Sequence, residues 1–184
     1  MKFCNPLKHN IKNTCDTHIG GIRRMYLINA SDFLGADETT IYLTTGSSAF
    51  EIDAAKNTAS LVQTAITNNT GATHIQSVLT FSINKNAMNL LPQQMELTLG
   101  WYKVLVEYWD RTWLLVDGSE DIFFTPTSTV RNTGIQENNF NGFTFSYTMR
   151  SFNYGIDYSQ MPDVVTDGST DPEWVLINEY CEEI

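Results

Sequence analysis

Apolar and polar residues alternate along much of this chain with a period of two, the spacing of a strand that buries one face. From Thr73 to Ile83, Ile75, Leu79, Phe81 and Ile83 point one way and His74, Gln76, Thr80 and Ser82 the other, with Ser77 and Val78 breaking the pattern. Phe143, Phe145, Tyr147 and Met149 alternate with Thr144, Ser146, Thr148 and Arg150 in the same manner. One-sided strands of this kind are the habit of antiparallel sheets. Further strands are predicted at Arg23–Ala30, Thr39–Thr45 and Ala59–Thr67. Tyr102–Tyr108 and Thr112–Val116, joined by Trp109-Asp110-Arg111, predict a hairpin. Asn141-Gly142 opens the Phe143 strand, where a positive φ is easily adopted.

A single helix is predicted, with Met88, Leu91, Met95 and Leu99 as its apolar stripe and Gly100 to end it. Pro92 inside a helix costs about 3 kcal/mol. The helix is therefore placed to start near Leu91, with Pro92 in the first turn, where its missing N–H matters least. Two stretches are long for connections. Gly46–Thr58, holding Phe50, Glu51, Ile52 and Asp53, predicts an extended hairpin arm. After Tyr158 the chain is polar as far as Glu173 and then turns apolar at Trp174, Val175, Leu176 and Ile177, which suggests a terminal segment that docks.

The fold class expected is therefore mostly β: an antiparallel β-sandwich or partly closed barrel with one short flanking α-helix and extended terminal arms. Within one domain, residues 1–22 form an N-terminal arm, residues 23–158 the β unit with a long loop at 46–58, and residues 159–184 an acidic extension. A chain of 184 residues is long enough to bury a sizeable core.

The formal charge of −10 is unevenly spread. Met1–Arg24 carries Lys2, Lys8, Lys12, Arg23 and Arg24 against Asp16 alone, whereas Ser151–Ile184 carries Asp157, Asp163, Asp167, Asp171, Glu173, Glu179, Glu182 and Glu183 with no Lys or Arg. Complementary ends of this kind can set orientation and register between neighbouring copies, or can serve solubility alone. The candidate subunit contacts are Lys2, Phe3, Lys8 and Lys12 in the basic arm, Phe50, Glu51, Ile52 and Asp53 in the excursion, and Trp174, Val175, Leu176 and Ile177 near the end. An acidic chain is poorly suited to gripping phosphates, which is driven by Lys and Arg. No apolar run approaches the roughly 20 residues of a membrane span, and no signal-peptide block opens the sequence, so no membrane partner is expected.

Signatures of catalysis are missing. No G-x-S-x-G, G-x-x-x-x-G-K-[ST], H-E-x-x-H or G-x-G-x-x-G run occurs. Cys4, Cys15, His9 and His18 match no zinc spacing, and Cys181 stands apart. Asp163–Gly168 lacks the alternating ligands and closing Glu of a calcium loop. No enzyme activity, cofactor or metal is expected. Trp101, Tyr102, Tyr108, Trp109 and Trp113 are read as cross-strand packing, with a sugar-binding platform as the alternative.

Two parts of the chain, residues 4–30 and 73–152, resemble a known family. Cys4, Cys15 and Gly20-Gly21-Ile22 lead into the strand Arg23–Asn29. Ser77–Ile83 is followed by the helix, the hairpin ending at Thr112–Gly118, a spacer with Thr133-Gly134, and Asn139-Phe140-Asn141-Gly142-Phe143-Thr144-Phe145-Ser146-Tyr147. That order is similar to the tail-tube subunits of bacteriophages. The resemblance implies self-assembly into hexameric rings, stacked into a hollow virion tube through which genomic DNA passes without specific recognition, alongside other tail or neck proteins. Assembly in the host cytoplasm is expected with it. A net-negative lumen would let DNA slide. The extension after Tyr158 departs from the family's pattern and leaves open a head–tail connector, tail terminator or decoration role. A carbohydrate- or receptor-binding β module is the more distant alternative.

Overall fold

The computed structural model describes residues 21–84, 91–133 and 140–166. Among these residues the fold is mostly β with one short helix, and three sheets lie in layers. The central sheet has the order β11-β8-β7-β1-β4, from β1 (Ile22–Asn29), β4 (Ala49–Glu51), β7 (Tyr102–Tyr108), β8 (Trp113–Leu115) and β11 (Ile156–Tyr158). On one face lies a sheet ordered β5-β6-β10-β9, from β5 (Ser60–Thr67), β6 (Thr73–Asn84), β9 (Thr125–Asn132) and β10 (Gly142–Ser151). On the other lies a small sheet of β2 (Phe33–Ala36), β3 (Thr40–Leu43) and β12 (Asp163–Thr166).

The apolar runs of the central strands follow from this layering. A strand covered on both faces has no polar side to alternate with. Met25 and Leu27 of β1, Val104 and Val106 of β7 and Leu114 of β8 turn toward Leu79, Phe81, Phe145 and Tyr147. Their neighbours Tyr26, Ile28, Leu105, Trp113 and Leu115 turn the other way, onto Phe33, Ile41, Leu43 and Val164. The strands β6 and β10 pair from Asn84↔Gly142 to Ile75↔Ser151. Their inward rings interlock: Phe81 lies 5.4 Å from Phe145 and 5.9 Å from Tyr147, the latter stacked at 11°. Ser77 sits on this inward face, fully buried, and takes a hydrogen bond of 3.1 Å from Gln63 Nε2. It breaks the alternation in polarity only.

The helix α1 (Leu91–Leu99) starts where Pro92 requires, but presents a different face from the predicted one. Leu97 is its buried anchor, whereas Met95 and Leu99 are exposed. Two tyrosine hydroxyls fix this orientation. Tyr102 donates to the Glu96 carbonyl at 2.7 Å, and Tyr147, fully buried, donates to the Leu97 carbonyl. Both carbonyls belong to the last turn, where helix carbonyls run short of partners, and that of Glu96 also accepts from Gly100 N–H at 2.7 Å.

Other expectations are corrected. The 46–58 excursion is not a free arm: its Ala49–Glu51 pairs with β1 as Ile28↔Ala49 and Tyr26↔Glu51, and Ile52 N–H donates to Met25 O at 2.8 Å. The domain continues past residue 158, because β12 pairs with β3 and buries Val164; that pairing is parallel, an exception to the antiparallel rule. Gly142 is required by space, not by a positive φ. It lies within the ladder, and a Cβ there would collide with the Ile83 carbonyl oxygen and the Phe140 ring. Strands β2, β4, β9, β11 and β12 were not foreseen.

Phe81→Ala should cost about 3–5 kcal/mol in urea unfolding, since the ring is fully enclosed. Val78→Ala on the opposite face of the same strand should cost less than about 1.5 kcal/mol.

Candidate assembly surfaces

The candidate contacts divide as follows. Lys2, Phe3, Lys8, Lys12, Trp174, Val175, Leu176 and Ile177 lie outside the described residues. Phe50, Glu51 and Ile52 are half-buried on the margin of the central sheet, and Asp53 is exposed. Ile52 packs against the main core, which gives it a structural duty within this copy.

Sheet β5-β6-β10-β9 carries a feature that periodicity alone does not reveal. The chain has 21 acidic residues, yet none of these four strands holds an Asp or Glu. Its outward face is mostly hydroxyls and amides, with Val62 and Val130 exposed among them. Thr80 faces Ser146 at 3.3 Å, Ser82 faces Thr144 at 2.8 Å and Thr127 faces Thr148 at 2.9 Å. Gln76 and Val78 continue it, and the basic groups Arg150 and His74 occupy one end. The outermost strands, β5 and β9, are eight residues each, and neither pairs with a further strand among the described residues. β5 reads Ser-Leu-Val-Gln-Thr-Ala-Ile-Thr, with none of the charges or prolines that usually blunt an open edge, and its Val62 is exposed. β9 carries Pro126 and Arg131.

Two charged side chains lie inside the central sheet. Lys103 is fully buried in β7. Its Nζ donates to the Asp117 carbonyl at 2.8 Å and to the Ile122 carbonyl, and lies 5.0 Å from the ring centroids of both Phe33 and Phe123. Burial pulls its pKa down to about 8, against the opposing pull of Asp117 and Asp121. Four residues on in the same strand, Glu107 is buried beneath three arginines: Arg23 at 2.5 Å, Arg24 at 3.6 Å and Arg111 at 3.6 Å. Arg24 also reaches Glu51 at 3.9 Å. Above this network opens a groove of about 640 Å³ lined by Gly21–Met25, the loop from Glu51 to Asn57, Ala59 and Trp109. A second, shallow depression of about 350 Å³ lies beside His74, Arg150 and Phe152.

The aromatics split between two environments. Tyr102 and Trp113 are buried and Tyr108 half-buried, while Trp101 and Trp109 are 58% and 52% exposed. The last two flank opposite ends of the seven-residue β7, roughly 25 Å apart at about 3.3 Å per residue, too far for one sugar to span. Among the described residues no group of three or more His, Cys, Asp and Glu could hold a metal ion, and no helix is long and apolar enough to cross a membrane. No protein-family model, curated protein or solved structure matches this chain. The acid-free sheet was legible in the sequence once the strands were known, since it requires only counting Asp and Glu strand by strand. The burial of Lys103 was signalled by a lone cation within the run Tyr102–Val106.

Lys103 sets a stability trend with pH. Its folded pKa lies below the ordinary 10.5, so between about pH 8 and 10.5 the unfolded chain binds more protons and stability rises with pH. From pH 8 to 9.5 the gain should be up to about 2 kcal/mol in urea unfolding, and it should vanish in Lys103→Met. Above about pH 10 the trend should reverse, because burial raises the pKa values of Tyr102 and Tyr158 to about 12, and deprotonation then favours the unfolded chain.

Proposed function

We propose that this protein is a structural ring subunit, of the kind that stacks into a bacteriophage tail tube, and that its rings close through the open edges of sheet β5-β6-β10-β9. The observation that carries the proposal is an acid-free sheet whose two outer strands pair with no further strand among the described residues. Strand direction alternates across the four strands, so the two edges run in opposite senses. A copy related by simple rotation therefore brings its β5 antiparallel to the β9 of its neighbour. Repeating that heterologous contact closes a ring. Barrels of roughly 16 strands or more enclose an aqueous channel, so on the order of four copies suffice, and the six of a hexamer leave room for a duplex.

In such a ring the main core and the other two sheets face outward, and the hydroxyl face of the four-stranded sheet lines the channel. This revises the expected net-negative wall. A surface of Thr, Ser, Gln and Val, with Arg150 at one end, offers few cations to hold phosphates, so passing DNA stays unbound. The same ring serves a connector or terminator as well as a tube, and open-ended stacking separates the tube from both.

Val62→Lys with Thr64→Lys should leave stability within about 0.5 kcal/mol, since both positions are exposed. The pair should weaken self-association at least about ten-fold by sedimentation velocity, because charge on an open edge blocks strand addition. Unchanged association would exclude the β5 edge from the contact.

A further inference from the structure

We infer that the depression beside Phe152 binds a nucleotide unit, with Arg150 and His74 taking the phosphate and the Phe152 ring taking the base. The site goes beyond the ring assembly proposed above and belongs to a single copy, so the two stand or fall separately. Arg150 and His74 come from the neighbouring strands β10 and β6, where the pairs Arg150↔Gln76 and Ser151↔Ile75 bring Phe152 alongside His74. All three line one depression of about 350 Å³, together with Asn68 and Thr73. Charge sets this place apart. Arg150 is exposed and forms no ion pair among the described residues, whereas Arg23, Arg24 and Arg111 are all committed to Glu107. The four strands of this sheet hold no acid, and residues 68–72 and 152–155 add none. In a chain of net charge −10, a guanidinium is here left open to an anion from outside.

Phe152 supplies the other half of the recognition. It is 85% exposed, more than any other large apolar side chain among the described residues. The turn that presents it is nevertheless pinned: Ser151 Oγ donates to the Asn153 carbonyl at 2.6 Å, and Gln63 Nε2 to the Tyr154 carbonyl at 2.7 Å. An aromatic ring held out in water is a stacking platform, and every base has a π-face to lay on it. Phosphate is drawn to Arg as a charge-assisted hydrogen-bond partner. An acidic peptide would use the guanidinium and leave the ring unused, whereas a nucleotide uses both. Asn68 Oδ1 is taken by Thr70 and Ala72, which leaves the amide N–H groups of Asn68 for a sugar hydroxyl. The unit can arrive as a free nucleotide or within a single strand of nucleic acid. In the ring proposed above the depression sits at one mouth of the channel, so any hold on nucleic acid is confined to that end.

The test uses the full-length chain and a short fluorescent oligothymidylate in which one base is iodouracil. Irradiation should crosslink the oligonucleotide to Phe152, as mapped by mass spectrometry. Phe152→Leu should remove that crosslink and weaken binding about ten-fold by fluorescence anisotropy. Arg150→Gln should weaken binding by a similar factor and reduce its salt dependence by about one phosphate contact. Both side chains are exposed, so neither substitution should move the urea unfolding midpoint. Thymidine monophosphate that competes as well as unlabelled oligothymidylate assigns the site to a free nucleotide, and a stronger oligothymidylate assigns it to a strand. Crosslinks elsewhere on the chain, or binding that ignores both substitutions, would overturn the proposal. So would competition by inorganic phosphate or polyglutamate as strong as that by thymidine monophosphate, since a bare anion or an acidic protein would then suffice. Rings without this binding would remove the site alone, and binding without rings would remove the assembly alone.

Discussion

The pairing of β1 with β7, from Ile22↔Tyr108 to Asn29↔Tyr102, is the constraint on which the rest depends. From Met25 to Ile28 and from Tyr102 to Glu107 both strands are covered on both faces, so each side chain there must find a partner inside protein. The apolar ones do so by contact with the sheets above and below. Lys103 and Glu107 cannot, and the structure bends local elements to serve them. The Asp117–Ile122 segment delivers two carbonyls to the Lys103 ammonium, and the Arg111 turn, held at φ 73°, returns a guanidinium over Glu107. A buried charge stripped of its partners costs several kcal/mol, so these polar contacts fix the hairpin and the loop after it in register with the core. Gly155 shows the same crowding at the other margin. With φ +131°, it lies against the Leu115 carbonyl, where no Cβ fits.

Above that frame, the four-stranded sheet is specialised by what it leaves out. Its inward residues are the large rings of the main core, and its outward residues are mostly short hydroxyls and amides with Val62, Val78 and Val130 among them. Exclusion of acids from these strands, in a chain of net charge −10, concentrates repulsion elsewhere.

Much of the fold could be read from the chain because the main core is one-sided on β6 and β10, where Phe81, Phe143, Phe145 and Tyr147 repeat at every second position. The helix start was equally legible from Pro92. Its facing was not, since it is decided by hydroxyls of Tyr102 and Tyr147 that come from distant strands. Short strands such as Ala49–Glu51 and Asp163–Thr166 have too few residues to show a period, and they exist only because a neighbouring strand offers an edge. Exposed β9 has no apolar stripe to announce it and is held by its ladder to β10. The outer strands of the acid-free sheet were hidden for a related reason: an edge is a property of sheet order, and sheet order is set by tertiary pairing.

Negative-stain electron microscopy of the purified full-length chain across a concentration series tests the central claim most directly. Closed rings with a central channel, extending at higher concentration into hollow stacks, are the predicted result. Particles that remain monomeric at every concentration, or that stop at a two-fold dimer with no channel, would contradict it.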